Sequence, residues 1–318
     1  MSLVVAVVGP TATGKSDLAL ALAQRLGGEV VNADALQLYR GMDIGTAKLT
    51  PAERQGVPHH QLDVLDVTQD ASVADYQAGA RADVAAVHAR GARAVAVGGS
   101  GLYVRALLDH MDFPGTDADV RARLEHRVET EGSRALHAEL EARDPVAAAG
   151  IGPRNARRIV RALEVIELTG RAYSASLPQH VYEVPAVQIG LDCDRGVLDE
   201  RIERRVERMW DLGLVEEVRA LADRGIGRTA SRAVGYAEVL AALRGELTTD
   251  EARTAVAAGT RRLARKQMGW FGRDPRVHWL DARDPDLVEG ALDLVARADA
   301  GTLGLATDDP APRRSLGS

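Results

Sequence analysis

The chain has 318 residues, of which 46% are hydrophobic and 27% are charged, which is enough for one large core and a smaller second domain. It contains no run of about eighteen apolar residues, and Met1 leads directly into a short strand-like segment, so we expect neither a membrane span nor a cleavable signal. The single cysteine, Cys193, excludes an internal disulfide and a cysteine-rich zinc site. These features predict a cytoplasmic protein that does not act at a membrane.

The net charge of −6, taken alone, argues against a nucleic-acid partner. However, residues 281–318 contain eight acidic residues against four arginines, so the first 280 residues carry a net charge of only −2 (−6 minus −4). The basic residues of that part are clustered, which keeps RNA open as a partner.

Much of the sequence alternates between apolar runs and helical patterns. Residues 3–8 are continuously apolar and lead through a glycine-containing loop into a helical pattern that ends at a glycine pair. Similar apolar runs follow at 29–34, 92–99 and 186–194, and a helical pattern occupies 73–90. Apolar runs separated by helices predict an α/β fold, whose core is a P-loop NTPase-like parallel sheet with both faces covered.

The rest of the chain is dominated by helical patterns. Between the third and fourth apolar runs these patterns lie at 117–131, 133–142 and 154–169. After the fourth run they lie at 197–224, 231–244 and 249–272, before a strand-like "VHWLD". We therefore predict an all-helical insertion at 114–186, an α/β core of residues 1–113 and 187–300, and a disordered tail at 301–318.

Residues 9–16, "GPTATGKS", match the phosphate-binding pattern G-x-x-x-x-G-K-[ST] between a predicted strand and a predicted helix. In this pattern, here called the phosphate motif, backbone N–H groups and the helix N-terminus attract phosphate oxygens, Lys15 neutralises their charge, and Ser16 can hold Mg²⁺. A glycine turn with a serine N-cap is the structural alternative. We predict a site for a diphosphate or a nucleotide such as ATP, formed by Gly9, Pro10, Thr11, Ala12, Thr13, Gly14, Lys15 and Ser16.

Two polar residues stand where predicted strands end. Asp34 closes the second apolar run and Ser100 follows the third. Ligands of open α/β sheets bind at the carboxyl ends of the strands, so both side chains should face the cleft beside the phosphate motif. The residues alone leave three roles open for Asp34, namely metal ligand, general base and helix N-cap, and Ser100 is equally suited to cap a helix predicted at 101–108.

Basic residues recur at helical spacing in three places. In the insertion, Arg154, Arg157, Arg158 and Arg161 form one stripe opposite the apolar Ile159, Leu163 and Ile166. This stripe suits RNA phosphates, and a solvated helix face is the alternative. The other clusters are Arg201, Arg204, Arg205 and Arg208, which suit phosphate or solvent, and Arg261, Arg262, Arg265 and Lys266 with Trp270 close by. The adjacent His59 and His60 should point apart and lack further ligands, so we predict no metal there.

Seven stretches, in their order and spacing, resemble the bacterial tRNA dimethylallyltransferases, also called tRNA isopentenyltransferases. They are "GPTATGKS", "NADALQLYRGMDIGTAK", "PHHQLD", "VGGSGLYVRALL", "RRIVRALEV", "SRAVGYAE" and "RRLARKQMGWFGRD". The resemblance covers residues 3–280 and is most specific in the second stretch. It implies transfer of the dimethylallyl group from dimethylallyl diphosphate to the exocyclic amine of the adenine at tRNA position 37, in the anticodon loop, with release of pyrophosphate.

Carried over by position, the resemblance implies roles for individual residues. Asp34 would be the general base at the adenine amine, and Ser100, where the family usually has threonine, would hydrogen-bond near the reacting groups; with Lys15 these are the predicted catalytic residues. The residues implied in tRNA binding are Asp34, Ala35, Leu36, Gln37, Ser100, Arg121, Arg157, Arg158, Arg161, Arg232, Gly235 and Tyr236. Ala35 replaces a common serine and Arg157 a usual glutamine. The family also implies a monomer without an obligate protein partner.

The implied chemistry suits these side chains. An adenine amine is a weak nucleophile that must lose a proton, which Asp34 can accept, while Lys15, Mg²⁺ on Ser16 and the loop amides stabilise the charge of the departing pyrophosphate. The adenine must also leave the stacked anticodon loop. Two other functions share parts of this sequence: a P-loop kinase of small molecules or nucleotides, and an RNA-binding NTPase without transferase activity.

Overall fold

The computed structural model describes residues 2–176 and 180–304. The chain divides into two compact units, one made of the residues up to Leu108 and from Tyr182 onward, the other Asp109–Val181. The predicted insertion, 114–186, begins and ends five residues later than this second unit (114 minus 109, and 186 minus 181). Of the tail predicted at 301–318, residues 305–318 lie outside the described residues.

The first unit is built on a parallel sheet, as predicted, and this sheet has six strands. The strands are β1 (Val4–Val8), β2 (Gly28–Asn32), β3 (His59–His60), β4 (Arg93–Gly98), β5 (Ala186–Asp192) and β6 (Val277–Asp281). They lie in the order β3-β2-β4-β1-β5-β6, and each neighbouring pair is parallel. Every residue of β1 is buried, because this central strand is covered on both faces. Only β3 escaped prediction, since two histidines form no apolar run.

Helices make up most of the remaining regular structure of both units. In chain order they are α1 (Lys15–Leu26), α2 (Val73–Ala89), α3 (Gly101–Leu108), α4 (Ala118–Glu131), α5 (Ser133–Arg143), α6 (Pro145–Gly150), α7 (Ala156–Thr169), α8 (Arg195–Asp211), α9 (Leu214–Asp223), α10 (Tyr236–Leu243), α11 (Thr249–Phe271) and α12 (Leu287–Asp299). None of the helices in the described residues is long and apolar enough to cross a membrane.

Two predicted helix boundaries were wrong. The pattern at 197–224 is broken into α8 and α9, because Gly213 takes a left-handed φ of 95° and ends the first helix. The pattern at 231–244 begins as a helix only at Tyr236, after a short 3-10 turn at Ala230–Arg232 and Gly235, whose φ is also 95°.

The second unit is helical throughout its regular structure, α4 to α7. Its core includes Leu124, Leu136, Ile159 and Leu163, each with 0% exposure. The short helix α6 lies between the helical patterns predicted at 133–142 and 154–169, where no helix was predicted. It forms because the Asp144 carboxylate accepts a hydrogen bond from the Ala147 N–H (3.0 Å), while proline occupies the first helical position, where no N–H is needed.

The carboxyl ends of the central strands lie where the chain changes its direction of progress across the sheet. From β1 the chain runs to β2, and from β4 it runs to β5, so the two connections cross the sheet in opposite directions. Open α/β sheets bind ligands outside the carboxyl ends of such neighbouring strands. The close approach of β2 and β4 at this edge depends on Gly98, where an added Cβ would lie 2.3 Å from the Ala33 carbonyl carbon and oxygen.

We expect Gly98→Ala to lower the free energy of unfolding by about 1–3 kcal/mol or more, because backbone atoms must separate to admit the methyl group. Gly269→Ala in α11 is the matched control, since nothing lies within 4 Å of its added Cβ. That variant should raise the free energy of unfolding by about 0.5–1 kcal/mol through helix propensity. Urea denaturation measures both, and an unchanged midpoint for Gly98→Ala would contradict the packing described.

Candidate active site

The phosphate motif lies between β1 and α1. Three of its residues have positive φ, Gly9 (130°), Ala12 (65°) and Gly14 (92°), which folds the loop tightly. The Pro10 carbonyl accepts hydrogen bonds from Lys15 Nζ (2.5 Å) and Thr13 Oγ1 (2.8 Å), so the loop is closed by its own side chains. Because α1 begins at Lys15, the positive end of the helix dipole also lies at this loop.

A buried glutamine fixes the loop from a distant helix. Gln267 of α11 is 7% exposed, and its Oε1 accepts a hydrogen bond from the Thr11 N–H at 2.8 Å. An added Cβ on Gly99 would lie 2.3 Å from Gln267 Nε2, so the end of β4 also packs against this side chain. Sequence reasoning missed Gln267, because one glutamine in a basic helix gives no chemical signal.

Asp34 is held at the end of β2 by a second buried amide. Asn32, 2% exposed, accepts from the Asp34 N–H (2.9 Å) and donates from Nδ2 to the carbonyls of Asp34 (3.0 Å) and Gln61 (2.9 Å). The Asp34 carboxylate accepts a hydrogen bond from the Leu36 N–H at 2.9 Å, and residues 35–48, all described, contain no helix. Asp34 is therefore not a helix N-cap, which leaves the general base and the metal ligand.

Ser100 joins the end of β4 to the residue after Asp34. Its Oγ accepts a hydrogen bond from the Ala35 N–H at 3.3 Å. Its carbonyl accepts from the Tyr103 and Val104 N–H groups (2.8 and 3.0 Å), so it begins α3 through the backbone. The hydroxyl therefore lies beside Asp34, as predicted from the strand ends.

Two cations share the site with one carboxylate. Burial and the positive charge of Arg205, opposed by the negative charge of Asp34, together lower the pKa of Lys15 to about 7. Burial likewise lowers the pKa of Arg205, again opposed by Asp34. The two cations therefore lie close to each other and to Asp34, and a bound anion would relieve their repulsion.

Of the arginine cluster in α8, only Arg205 belongs to this site. Its Nη2 donates to the Thr46 carbonyl at 3.4 Å. Arg204 and Arg208 are exposed and lie 4.0 Å and 3.6 Å from Glu200 and Glu53. The helical period places the four arginines on one face of α8, and Arg205 lies on the side of that face nearest the buried Ile202 and Met209.

The residues after Asp34 are close to it and half-buried. Ala35 donates to Ser100 through its backbone, Leu36 packs against a cluster that contains Tyr39, and Gln37 donates from Nε2 to the Thr46 carbonyl at 3.1 Å. All three lie beside Asp34, so the structure places these predicted tRNA contacts beside the predicted general base.

Two of the predicted tRNA contacts, Gly235 and Tyr236, are buried at the start of α10. Tyr236 is 0% exposed and donates from its hydroxyl to Glu217 at 2.6 Å, and Gly235 is buried as well. The Tyr236 side chain therefore offers no surface to RNA, which corrects its predicted role, whereas an added Cβ on Gly235 would meet nothing within 4 Å. Arg232 is exposed, so its side chain is accessible to RNA.

The arginine stripe of the second unit is split. Arg157 and Arg158 are exposed, whereas Arg161 and Arg121 both bind Glu164, whose side chain has no exposure, at 3.0 and 2.7 Å. Burial would raise the pKa of Glu164, but the hydrogen bonds from these two arginines outweigh burial and hold that pKa below its usual range. Arg121 and Arg161 therefore form an internal ion pair network, which reduces the charge they offer to phosphates.

The basic cluster of α11 is divided in the same way. Arg261 is bound to Glu203 and lies 3.6 Å from Asp199, whereas Arg262, Arg265 and Lys266 are exposed. Nearby, Trp270 is 37% exposed, and the Arg105 guanidinium lies 5.1 Å from its ring centroid. An exposed aromatic ring beside basic groups is a common feature of RNA-binding surfaces.

The adjacent His59 and His60 contact different partners. His60 Nε2 contacts the Glu29 carboxylate at 2.6 Å and His59 Nδ1 contacts the Val57 carbonyl at 2.8 Å. Within the described ranges, no group of three or more His, Cys, Asp or Glu residues is placed to hold a metal ion. Ser16 has a hydroxyl without a hydrogen-bond partner in the described part of the chain, so this oxygen is free to bind a hard cation.

Comparison with known proteins places this site in a family. A family model described as IPP transferase matches residues 37–274. The chain belongs to the IPP transferase family. The tRNA dimethylallyltransferases of Thermobifida fusca and Streptomyces coelicolor are each 61% identical to it, over 302 and 299 residues that cover 93% and 92% of this chain and 95% and 96% of those proteins.

Two solved structures of transferases share this architecture. The tRNA isopentenylpyrophosphate transferase of Bacillus halodurans is 41% identical, with a TM-score of 0.70 and coverage of 95% of this chain and 97% of that chain. A eukaryotic dimethylallyltransferase acting on tRNA has a TM-score of 0.83 and coverage of 97% and 82%, at 22% identity, which shows a shared fold alone.

The lowered pKa of Lys15 predicts a pH-dependent affinity for inorganic pyrophosphate. In the protein without ligand, the Lys15 amine is mostly neutral above its pKa of about 7. A bound anion favours the charged ammonium form, so pyrophosphate binding at pH 8 should be accompanied by uptake of a proton. One unit above that pKa, the affinity should fall about tenfold relative to a permanently charged side chain. Titration calorimetry in two buffers of different ionisation enthalpy measures the uptake. Lys15→Arg, which stays charged, is the control, and equal uptake by both proteins would contradict the prediction.

Proposed function

We propose that this chain is a tRNA dimethylallyltransferase, which transfers the dimethylallyl group of dimethylallyl diphosphate to the exocyclic amine of adenine 37 and releases pyrophosphate. The observation that carries the proposal is the placement of Asp34, a carboxylate, beside the surplus positive charge of Lys15 and Arg205. A transferase that joins a base to a diphosphate-bearing donor needs both kinds of group side by side. The names of the relatives at 61% identity agree with this chemistry.

On the donor side, the phosphate motif, the N-terminus of α1, Lys15 and Arg205 would bind the diphosphate. As the allylic C–O bond breaks, negative charge grows on the diphosphate, and these cations and amides stabilise it. Ser16 would hold Mg²⁺, which prefers oxygen ligands and keeps several of its waters; when bound, this ion supplies further charge neutralisation.

On the acceptor side, Asp34 would accept the proton that the adenine amine loses as its nitrogen bonds to the allylic carbon. The electron pair of the broken C–O bond leaves with pyrophosphate, so one bond forms and one breaks while the proton moves to Asp34. The Ser100 hydroxyl accepts from the Ala35 N–H and keeps its own proton available for donation to a neighbouring acceptor. Asn32 fixes the backbone on both sides of Asp34 and so sets the direction of the carboxylate.

RNA would be bound through phosphate contacts from exposed basic residues. Each compact unit supplies some: Arg157 and Arg158 in the second unit, and Arg232, Arg262, Arg265 and Lys266 in the first. Exposed guanidinium and ammonium groups give salt-dependent, sequence-independent affinity, while groups near Asp34 would receive the extruded adenine. All of these groups lie on one chain, which agrees with a monomer that needs no protein partner.

The experiment that tests the function combines the protein with Mg²⁺, dimethylallyl diphosphate and unmodified tRNA, followed by digestion and mass analysis of the nucleosides. We expect a gain of one five-carbon group on adenosine. A parallel reaction with ATP tests the kinase alternative, which would use the same loop. ATP turnover without prenylated adenosine would overturn the proposal.

Asp34→Asn should separate catalysis from diphosphate binding. The amide oxygen still accepts from the Leu36 N–H but takes no proton from adenine, so the rate of transfer should fall by about 10²–10⁴-fold. Affinity for inorganic pyrophosphate should be equal or higher, since a repelling carboxylate is removed. Asp75→Asn, an exposed acid in the first turn of α2, is the control and should leave both unchanged. Loss of pyrophosphate binding in Asp34→Asn would instead identify a metal ligand.

A further inference from the structure

The most specific stretch of the sequence contains a segment with no chemical role assigned so far. Residues 43–48, here called the DIGTAK segment, follow Met42 without forming a helix or a strand. Three consecutive backbone N–H groups of this segment converge on one carboxylate, that of Glu217 in α9. Consecutive N–H groups of this kind form an anion-binding concavity, which here is filled by the chain itself.

Glu217 accepts four hydrogen bonds. Its Oε2 accepts from the N–H groups of Asp43 (3.0 Å) and Ile44 (2.7 Å), and its Oε1 accepts from the Gly45 N–H (3.2 Å) and the Tyr236 hydroxyl (2.6 Å). Four donors match the acceptor capacity of an ionised carboxylate. The side chain is therefore fully used inside the protein and holds the DIGTAK segment against α9 and α10.

The Tyr236 side chain reinforces this arrangement. Its ring lies so close to Gly45 that an added Cβ there would be 2.5 Å from the ring, which explains the glycine. Burial raises the pKa of Tyr236, and the negative charge of Glu217 raises it further, so the hydroxyl stays protonated and donates. Tyr236 thus acts on the DIGTAK segment through Glu217.

Lys48 anchors the other end of the segment. Its side chain is 3% exposed, and Nζ donates to the carboxylates of Asp43 (2.5 Å) and Asp63 (2.6 Å) and to the Tyr39 carbonyl (2.8 Å). A buried ammonium group with three acceptors has all its donors satisfied, so it fixes the backbone around it. The segment is therefore held by a carboxylate at its start and an ammonium group at its end.

Between these anchors, the segment presents one carbonyl to the site. The Thr46 carbonyl accepts from Gln37 Nε2 at 3.1 Å and from Arg205 Nη2 at 3.4 Å. Gln37 lies three residues beyond Asp34, on the side of the proposed adenine, while Arg205 is the cation beside Lys15, on the side of the proposed diphosphate. A single backbone oxygen thus orients one side chain for each substrate.

We propose that Glu217 is a positioning residue for the transfer: by holding residues 43–45 it fixes the Thr46 carbonyl and, through it, Arg205 and Gln37. The inference rests on the proposed function and deepens it, because it assigns a role to a residue that touches neither substrate. It also connects the two substrate sites, since displacement of one carbonyl disturbs both side chains together.

Glu217→Gln tests the proposal with little change in shape. The glutamine NH₂ group replaces one carboxylate oxygen, so it faces N–H or O–H donors that the oxygen had accepted from. We expect the DIGTAK segment to shift as a result. We expect kcat/KM to fall about 10–100-fold for both dimethylallyl diphosphate and tRNA, as for other residues that orient contacting groups. Glu216→Gln, on the exposed face of the same helix, is the matched control and should behave as wild type. Equal kinetics for Glu217→Gln and wild type would overturn the proposal.

A double-mutant cycle with Arg205→Ala distinguishes positioning from simple destabilisation. If Glu217 acts through Arg205, the effect of Glu217→Gln on kcat/KM for dimethylallyl diphosphate should largely disappear in the Arg205→Ala background. A cost that is the same in both backgrounds would overturn the proposal. If Glu217→Gln fails to fold, Tyr236→Phe is the alternative variant, because it removes one of the four hydrogen-bond donors to Glu217. We expect Tyr236→Phe to lower kcat/KM about fivefold, and to do so only when Arg205 is present. Wild-type kinetics in Tyr236→Phe would also overturn the proposal.

A binding measurement separates failure of this inference from failure of the proposed function. If wild-type protein transfers no dimethylallyl group, the proposed function fails, but affinity for inorganic pyrophosphate still reports on Arg205. Glu217→Gln should then weaken pyrophosphate binding in the wild-type background and not in Arg205→Ala. Unchanged pyrophosphate affinity in Glu217→Gln would overturn the positioning role.

Discussion

The site depends on the enclosure of two cations, Lys15 and Arg205, beside a single carboxylate, Asp34. Partial burial lowers the pKa of both cations, so the ligand-free site is electrostatically unfavourable and a polyanion relieves it. Such strain needs a rigid frame, because free side chains would move apart into solvent. The frame consists of the closed phosphate motif, the buried amides of Asn32 and Gln267, and the carbonyl of Thr46.

Strand-forming segments and the phosphate motif were predictable because each depends on local sequence. Continuous apolar runs specify buried parallel strands, and the glycines with Lys15 specify the loop. The positions of Asp34 and Ser100 followed from one further rule, that parallel strands end at one edge. By contrast, Asn32, Gln267 and Glu217 act through contacts between residues distant along the chain, such as Gln267 with Thr11, and no local pattern distinguishes these side chains from ordinary polar residues.

Arginine spacing overestimated the surface available to RNA for a related reason. Helical periodicity places residues on one face but does not say what covers that face. Arg161 and Arg121 bind the buried Glu164, and Arg261 pairs with Glu203 at the surface, so these guanidinium groups are partly neutralised within the protein. A buried glutamate that accepts from two arginines is a strong local constraint, because removal of either partner leaves charge with poor compensation. Exposed basic residues such as Arg157 and Lys266 are therefore the better candidates for RNA contacts.

The link between Ser100 and residue 35 has a consequence for how this site can change. The hydrogen bond runs from the main chain of Ala35 to the Ser100 hydroxyl, so the side chain at position 35 takes no part in aligning the two strand ends. The alanine at position 35, where the family commonly has serine, therefore leaves the alignment of Asp34 intact. The side chain at position 35 can therefore be varied to change RNA preference, whereas loss of the hydroxyl at position 100 would remove this hydrogen bond.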